Sequence, residues 1–202
     1  MRIVVASGNN HKITEIKHML SELDFYVKSV YEIEKNYDEP DENGQTFEDN
    51  AFIKANAIRK IFNDSYILSD DSGLMVDVLN GEPGVHSARY AGDEHDDAKN
   101  NALLLKKLEN VKKEDRTAHF VSVLCLITPE GEKHFFRGEC EGEIIFERRG
   151  ENGFGYDPYF LPHGKQKTFA EMSESEKNEI SHRRRALDKL KNYFSEQYKK
   201  QI

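Results

Sequence analysis

The first twenty residues constrain the fold more than any other stretch of the chain. Arg2-Ile3-Val4-Val5-Ala6 is a run of branched apolar residues, followed at once by the polar Ser7-Gly8-Asn9-Asn10-His11-Lys12. Ile13, Ile16, Met19 and Leu20 then recur at helical spacing. Whatever fold forms must seat a buried strand, a polar turn and a helix in immediate succession. Such a turn can gather backbone amides, Asn side chains and Lys12 around phosphate oxygens, with the helix terminus adding favourable partial charge. Ordinary helix initiation gives the same pattern, and the glycine content is too low for the usual nucleotide P-loop.

Further along, residues 25–30 read as a second strand, and residues 32–44 as an acidic connection punctuated by Pro40, Asn43 and Gly44. Thr46-Phe47-Glu48-Asp49 has the spacing of a helix cap, with Phe47, Ala51, Ala55, Ile58 and Phe62 as the apolar path of the helix behind it. Lys54 lies along that path, where it either snorkels from an apolar face or meets a ligand. Tyr66-Ile67-Leu68 leads into Ser69-Asp70-Asp71-Ser72-Gly73, so a buried strand is expected to end at adjacent acids. Two like charges resist joint desolvation unless water, amides or a divalent cation compensates them. A solvated turn and a metal site both satisfy that condition.

Residues 96–108 read as a helix with Ala98, Ala102, Leu105 and Leu108 on its apolar face. Alternation over 117–128 and 133–149, bent around Pro129-Glu130-Gly131, predicts a sizeable mixed sheet. Ser173 to Glu176 has capping-box spacing, and a last helix near Ser181 carries Ala186, Leu190, Tyr193 and Phe194 as its stripe.

Composition narrows the class of partner. The 202 residues carry 37 acidic and 29 basic side chains, a net charge of −8, which argues against a protein that coats nucleic acid. Arg183-Arg184-Arg185 is too short a basic run to change that. No apolar run approaches the roughly 20 residues needed to span a bilayer, and the opening lacks the pattern of a secretion signal. A cytoplasmic protein without a membrane partner is expected. Cys125 and Cys140 show no ligand-like spacing and read as reduced thiols, with a disulfide left open.

The chemistry becomes specific when these signals are combined. Glu42 and Asp71 offer hard oxygen donors suited to Mg²⁺, and Lys12 and Lys54 could neutralise phosphate oxygens. Asp71 is the residue expected to face the attacking water, with Asp70 shaping the acidic environment. Phe154, Asp157, Lys177, His182 and Arg183 supply a stacking ring and edge contacts for a purine. Taken alone, Phe154 reads more readily as core than as a base platform, and His182 as a helix cap. A donor aimed at purine O6 suits hypoxanthine or xanthine better than adenine, whose amino group there is itself a donor.

The ordered set Ser7-Gly8-Asn9-Asn10-His11-Lys12, Glu42 through Lys54, Ser69-Asp70-Asp71-Ser72-Gly73-Leu74, Pro83 through Gly92, Phe154-Gly155-Tyr156-Asp157 and Ser181-His182-Arg183 resembles the inosine triphosphate pyrophosphatase family over nearly the whole chain. The resemblance implies a single domain over residues 1–202: an elongated α/β fold of two lobes around a central substrate cleft, assembled as a homodimer. It implies Mg²⁺-dependent cleavage of ITP, dITP or XTP between the α and β phosphates, releasing the monophosphate and pyrophosphate and so cleansing the nucleotide pool. By the same resemblance Ser7, Gly8, Asn9, Asn10, His11 and Lys12 bind phosphates, Lys54 and Ser72 add substrate contacts, and Glu42 and Asp71 hold the metal. Asp71 is also the proton acceptor, and Phe154, Gly155, Tyr156, Asp157, Lys177, His182 and Arg183 read the base. His86 stands where relatives are expected to carry tyrosine, which is read as a tolerated neighbouring contact. A pyrophosphatase for modified pyrimidine nucleotides and a nucleotide-binding regulator are the competing readings.

Overall fold

The computed structural model describes residues 1–8, 10–21 and 25–200, with the backbone alone for residues 10, 11, 15 and 198–200. Six strands share one sheet: β1 (Arg2–Val5), β2 (Tyr26–Ser29), β3 (Tyr66–Val76), β4 (Thr117–Ile127), β5 (Lys133–Ile144) and β6 (Phe160–Pro162), in the order β2-β1-β3-β4-β5-β6. β1 pairs in parallel with both β2 and β3, whereas β5 and β6 are antiparallel, so the sheet is mixed as expected. The helices are α1 (Asn10–Met19), α2 (Val30–Ile33), α3 (Phe47–Arg59), α4 (Asp97–Leu108), α5 (Glu174–Ile180) and α6 (His182–Lys200). Strands alternating with helices around one sheet make this a mixed α/β fold. Among the described residues no helix is long and apolar enough to cross a membrane.

Two compact units partition the chain. The first comprises residues 1–71, 122–137 and 185–202, and the second residues 72–121 and 138–184. In the first, β1 is flanked by parallel neighbours and its Ile3, Val4 and Val5 are almost wholly buried, the signature of an inner parallel strand. α6 lays Ala186, Leu190 and Phe194 into the same core as Ile16, Leu68 and Leu124, and the Phe25 and Phe194 rings meet at 4.5 Å. Truncating a fully buried Leu190 to Ala would cost about 2–5 kcal/mol. The second unit closes Leu74, Val76, Leu104 and Leu108 around the Phe120, Phe160 and Phe169 rings.

Four expectations need correction. β3 does not stop at the adjacent acids but runs through Asp70 and Asp71 to Val76, both acids being buried. Lysines from two helices compensate their charge, as described below. On α4, Ala98 and Ala102 are exposed while Asn100 and Asn101 face inward. Those asparagines spend their buried side on hydrogen bonds to loops, Asn100 to the carbonyl of Ala88 at 3.0 Å and the amide of Ala91 at 2.8 Å. β5 ends at Ile144 instead of continuing to residue 149, because Ile145 and Arg149 donate to the Tyr159 and Pro158 carbonyls of the turn before β6. The second strand closes at Ser29, whose side chain caps the four-residue α2. Cys125 and Cys140 are both buried, and neither forms a disulfide.

Candidate functional site

In the first unit, three elements bring charged side chains to the middle of β3. Thr46 caps α3 in a reciprocal box with Asp49, fixing where the helix starts. Ser69 donates from Oγ to the Ala51 carbonyl at 2.5 Å, which ties α3 to β3 one turn before Lys54. The Glu42 segment is anchored where the Gly44 amide donates to Asn50 Oδ1 at 2.8 Å. Lys54 Nζ consequently lies 3.1 Å from Glu42 Oε1 and 3.7 Å from Asp71 Oδ1. From α1, Lys12 Nζ donates to Asp70 Oδ2 at 2.6 Å.

Three carboxylates thus face two ammonium groups in a place with little access to water. Burial pushes the Asp71 carboxyl up to about 6, with the Lys54 ammonium pulling the other way and Glu42 adding to the rise. Burial pulls the Lys54 ammonium down, but the charges of Asp71, Asp70 and Glu42 outweigh it and leave the group above its ordinary value.

The polar turn lies at the end of β1. Ser7 is buried, and its carbonyl accepts from Ser29 Oγ at 2.6 Å. Gly8 is exposed, and Asn10 and His11 open α1. Asn9 falls outside the described residues, as do the side chains of Asn10 and His11. Ser72 follows Asp71 on β3 and is half-buried.

The second unit holds a different arrangement. Lys177 on α5 places Nζ 2.5 Å from Asp157 Oδ2, and the Phe154 amide donates to the same oxygen at 3.1 Å. Gly153 permits this, since its φ is +76° and a Cβ there would lie 2.0 Å from Asp157 Oδ2. Burial raises the Asp157 carboxyl, opposed by the Lys177 charge and hydrogen bond. The Lys177 ammonium also sits 5.5 Å from the Phe154 ring centre and 5.1 Å from that of Phe169. Phe154 is 63% exposed, so it is not part of the core. His182 is buried and stacks on Phe120 at 5.0 Å and 14°. Arg183 follows it on α6, half-buried.

The loop between Phe154 and Asp157 is clasped by residues that sequence reasoning missed. The Gly155 amide donates to Asp97 Oδ2 at 2.7 Å, and its carbonyl accepts from Asn101 Nδ2 at 2.8 Å. Tyr156 is buried, and its hydroxyl donates to the Ser87 carbonyl at 2.8 Å. Ser87 in turn accepts from the Leu74 amide and donates to the Gly84 carbonyl, locking the helical turn Gly84–Arg89 on which His86 is exposed. Inward-facing asparagines leave no periodic signal, so only the unusual run Asn100-Asn101 within a helical pattern could have flagged them.

The donors of the first unit suit a hard divalent cation. No group of three or more His, Cys, Asp or Glu among the described residues makes a ready cage. Mg²⁺ does not require one, because it commonly takes one or two carboxylates and completes its shell with water and substrate phosphates. Glu42 and Asp71, which meet on the one Lys54 ammonium, fit that pattern.

Lys12 of α1, Lys54 of α3 and Glu42 thus meet the adjacent acids of β3 beside a mixed α/β sheet, a set of charges of the class found in phosphate-handling proteins. Residues 3–193 match the model of the Ham1 family, and the chain belongs to that family. A dITP/XTP pyrophosphatase of Leuconostoc mesenteroides is 52% identical over 192 residues, covering 94% of each chain. Another, from Clostridium perfringens, is 47% identical over 195 residues, covering 94% of this chain and 95% of its own. Among solved structures, the Staphylococcus aureus Ham1 protein has a TM-score of 0.90 at 42% identity and covers 98% of this chain and 100% of that one. The dITP/XTP pyrophosphatase of Mycobacterium abscessus gives 0.81 at 45%, covering 94% and 97%.

Proposed function

We propose that this chain is a nucleoside triphosphate pyrophosphatase that hydrolyses ITP, dITP and XTP, with Mg²⁺, to the nucleoside monophosphate and pyrophosphate. The observation that carries this reading is the meeting of Glu42, Asp71 and Lys54 beside the Lys12–Asp70 pair. Family membership and relatives named for the same chemistry support it.

Glu42 and Asp71 would hold the cation, which when bound draws charge from the phosphate oxygens. Lys12 and Lys54 neutralise further phosphate charge, and the amides of the turn after β1 bind the outer phosphates at the start of α1. Asp71 accepts the proton of the attacking water. The new P–O bond forms at the α phosphorus, the bond to the bridging α–β oxygen breaks, and its electron pair leaves with pyrophosphate.

The second unit reads the base. Phe154 stacks on the purine, and Lys177, His182 and Arg183 supply donors suited to O6 of hypoxanthine or xanthine, while Asp157 holds Lys177 in place. The exposed position of His86 suits a contact that tunes affinity without changing the reaction. The protein acts as a homodimer in the cytoplasm on free nucleotides, and its acidic balance disfavours nucleic acid as a partner.

The test is pyrophosphate release across ITP, dITP, XTP, ATP, GTP and modified pyrimidine triphosphates, with Mg²⁺ and with chelator. Selective, metal-dependent release from the first three is expected. Preference for modified pyrimidines would overturn the base assignment, and tight binding without product would indicate a regulator. Mass in solution checks the dimer; a stable monomer contradicts it.

A further inference from the structure

The turn after β1 and the segment bearing Glu42 are separate stretches of the first unit, and one side chain touches both. Tyr31, on α2, lays its ring against Gly8, where an added Cβ would sit 3.3 Å from Cε2 and 3.5 Å from Cδ2. That approach is close enough that any larger residue at Gly8 would displace the ring. The Tyr31 hydroxyl donates to Glu39 Oε1 at 2.7 Å, three residues before Glu42. Glu39 precedes Pro40, which fixes its own φ and restricts the residue ahead of it, so the tether reaches Glu42 through few free dihedrals.

The helix that carries Tyr31 is itself fixed to the turn. Ser29 accepts from the Tyr31 amide at 3.2 Å, and its own amide donates to Glu32 Oε2 at 2.7 Å. The same Ser29 hydroxyl donates to the Ser7 carbonyl. Tyr37 packs edge-on against the Tyr31 ring at 5.7 Å and 76°. Elsewhere the ring borders a cavity of about 320 Å³ that Gly8, Thr14, Lys17 and Ser29 also line. Its orientation is therefore set by Gly8, Tyr37 and Glu39 and not by a close-packed core.

We infer that Tyr31 is a positioning residue: its ring braces the phosphate-binding turn at Gly8, and its hydroxyl holds the Glu42 segment in register through Glu39. What the turn and Glu42 do is taken from the function proposed above. Capping alone explains why Ser29 precedes α2, but not why Tyr31, two residues on, bridges two segments that supply different parts of the substrate and cation chemistry.

The two contacts can be separated by substitution. Tyr31→Phe keeps the ring and removes the bond to Glu39, as does Glu39→Ala from the other side. Glu39→Gln retains an acceptor, and Tyr31→Leu removes both contacts. Mn²⁺ binding measured by electron paramagnetic resonance without nucleotide reads the Glu42 side, and calorimetry with pyrophosphate reads the turn. Tyr31→Phe and Glu39→Ala are expected to weaken Mn²⁺ binding about tenfold, the scale of losing a residue that orients a ligand. Pyrophosphate affinity should stay within about twofold of the parent, since the ring contact survives. Glu39→Gln should restore Mn²⁺ binding, and Tyr31→Leu should weaken both.

Unchanged Mn²⁺ binding in Tyr31→Phe and Glu39→Ala, or equal losses of Mn²⁺ and pyrophosphate in Tyr31→Phe, overturns the inference. Should Tyr31→Leu fail to fold, the other variants decide. A parent protein that binds Mn²⁺ and pyrophosphate but hydrolyses no nucleotide overturns the functional reading alone, whereas one that binds neither overturns both.

Discussion

Each unit buries a lysine against an aspartate, and the surroundings of the two pairs differ. In the second unit, Asp157 has Lys177 and the Phe154 amide to itself, and the ammonium rests over two aromatic rings. In the first, Lys54 is shared between Glu42 and Asp71, with Asp70 close enough to add to its charge balance. One pair is internally compensated and flanked by π faces, which suits a flat, neutral base. The other gathers Glu42, Asp70 and Asp71 around Lys12 and Lys54, hard oxygen donors of the kind a divalent cation takes. The lesson is that burial alone does not distinguish one ion pair from another; the surroundings do, aromatic faces in the second unit and further carboxylates in the first.

The sharpest break of this comparison is Asp71→Asn, which removes the carboxylate proposed as proton acceptor in the first unit. Steady-state turnover is expected to fall about 10³-fold, the range typical of a lost general base, while nucleotide still binds. Near-normal turnover would remove Asp71 from that role. Glu42→Gln should raise the Mg²⁺ concentration needed for half-maximal rate by about tenfold with less effect at saturating metal, as a magnesium titration would show.

The second unit should answer differently. Lys177→Met leaves Asp157 buried without its counter-charge and is expected to cost about 3 kcal/mol in urea unfolding. It should also narrow the preference for ITP over ATP, measured as the ratio of kcat/KM values, leaving the magnesium titration unchanged. A shift in metal requirement would blur the division between the units. His86→Tyr, on an exposed turn, should alter turnover by less than about threefold.

The difference between these regions was only partly legible in the sequence. The strand, turn and helix at the start, the caps at Thr46 and Ser173 and the apolar stripe of α6 follow from local pattern, and the structure contains each of them. The adjacent acids stood out, but like charges side by side argue for a strand end. That argument fails because Lys12 and Lys54 arrive from distant helices, Lys12 from 58 residues away, and pairing across such a span has no local signature. Phe154 read more readily as core, and its exposure overturns that reading. Tyr31 acts through one hydrogen bond to Glu39 and a ring contact at Gly8, so residue type and spacing carried no hint of it.

The most direct test of the cation-and-carboxylate cluster as a device for attack at the first phosphate is hydrolysis of ITP in ¹⁸O-water, followed by mass measurement of both products. The label should appear in inosine monophosphate, with none in pyrophosphate. Label in pyrophosphate, or release of orthophosphate in its place, would mean that water is delivered to a different phosphorus and would contradict the account.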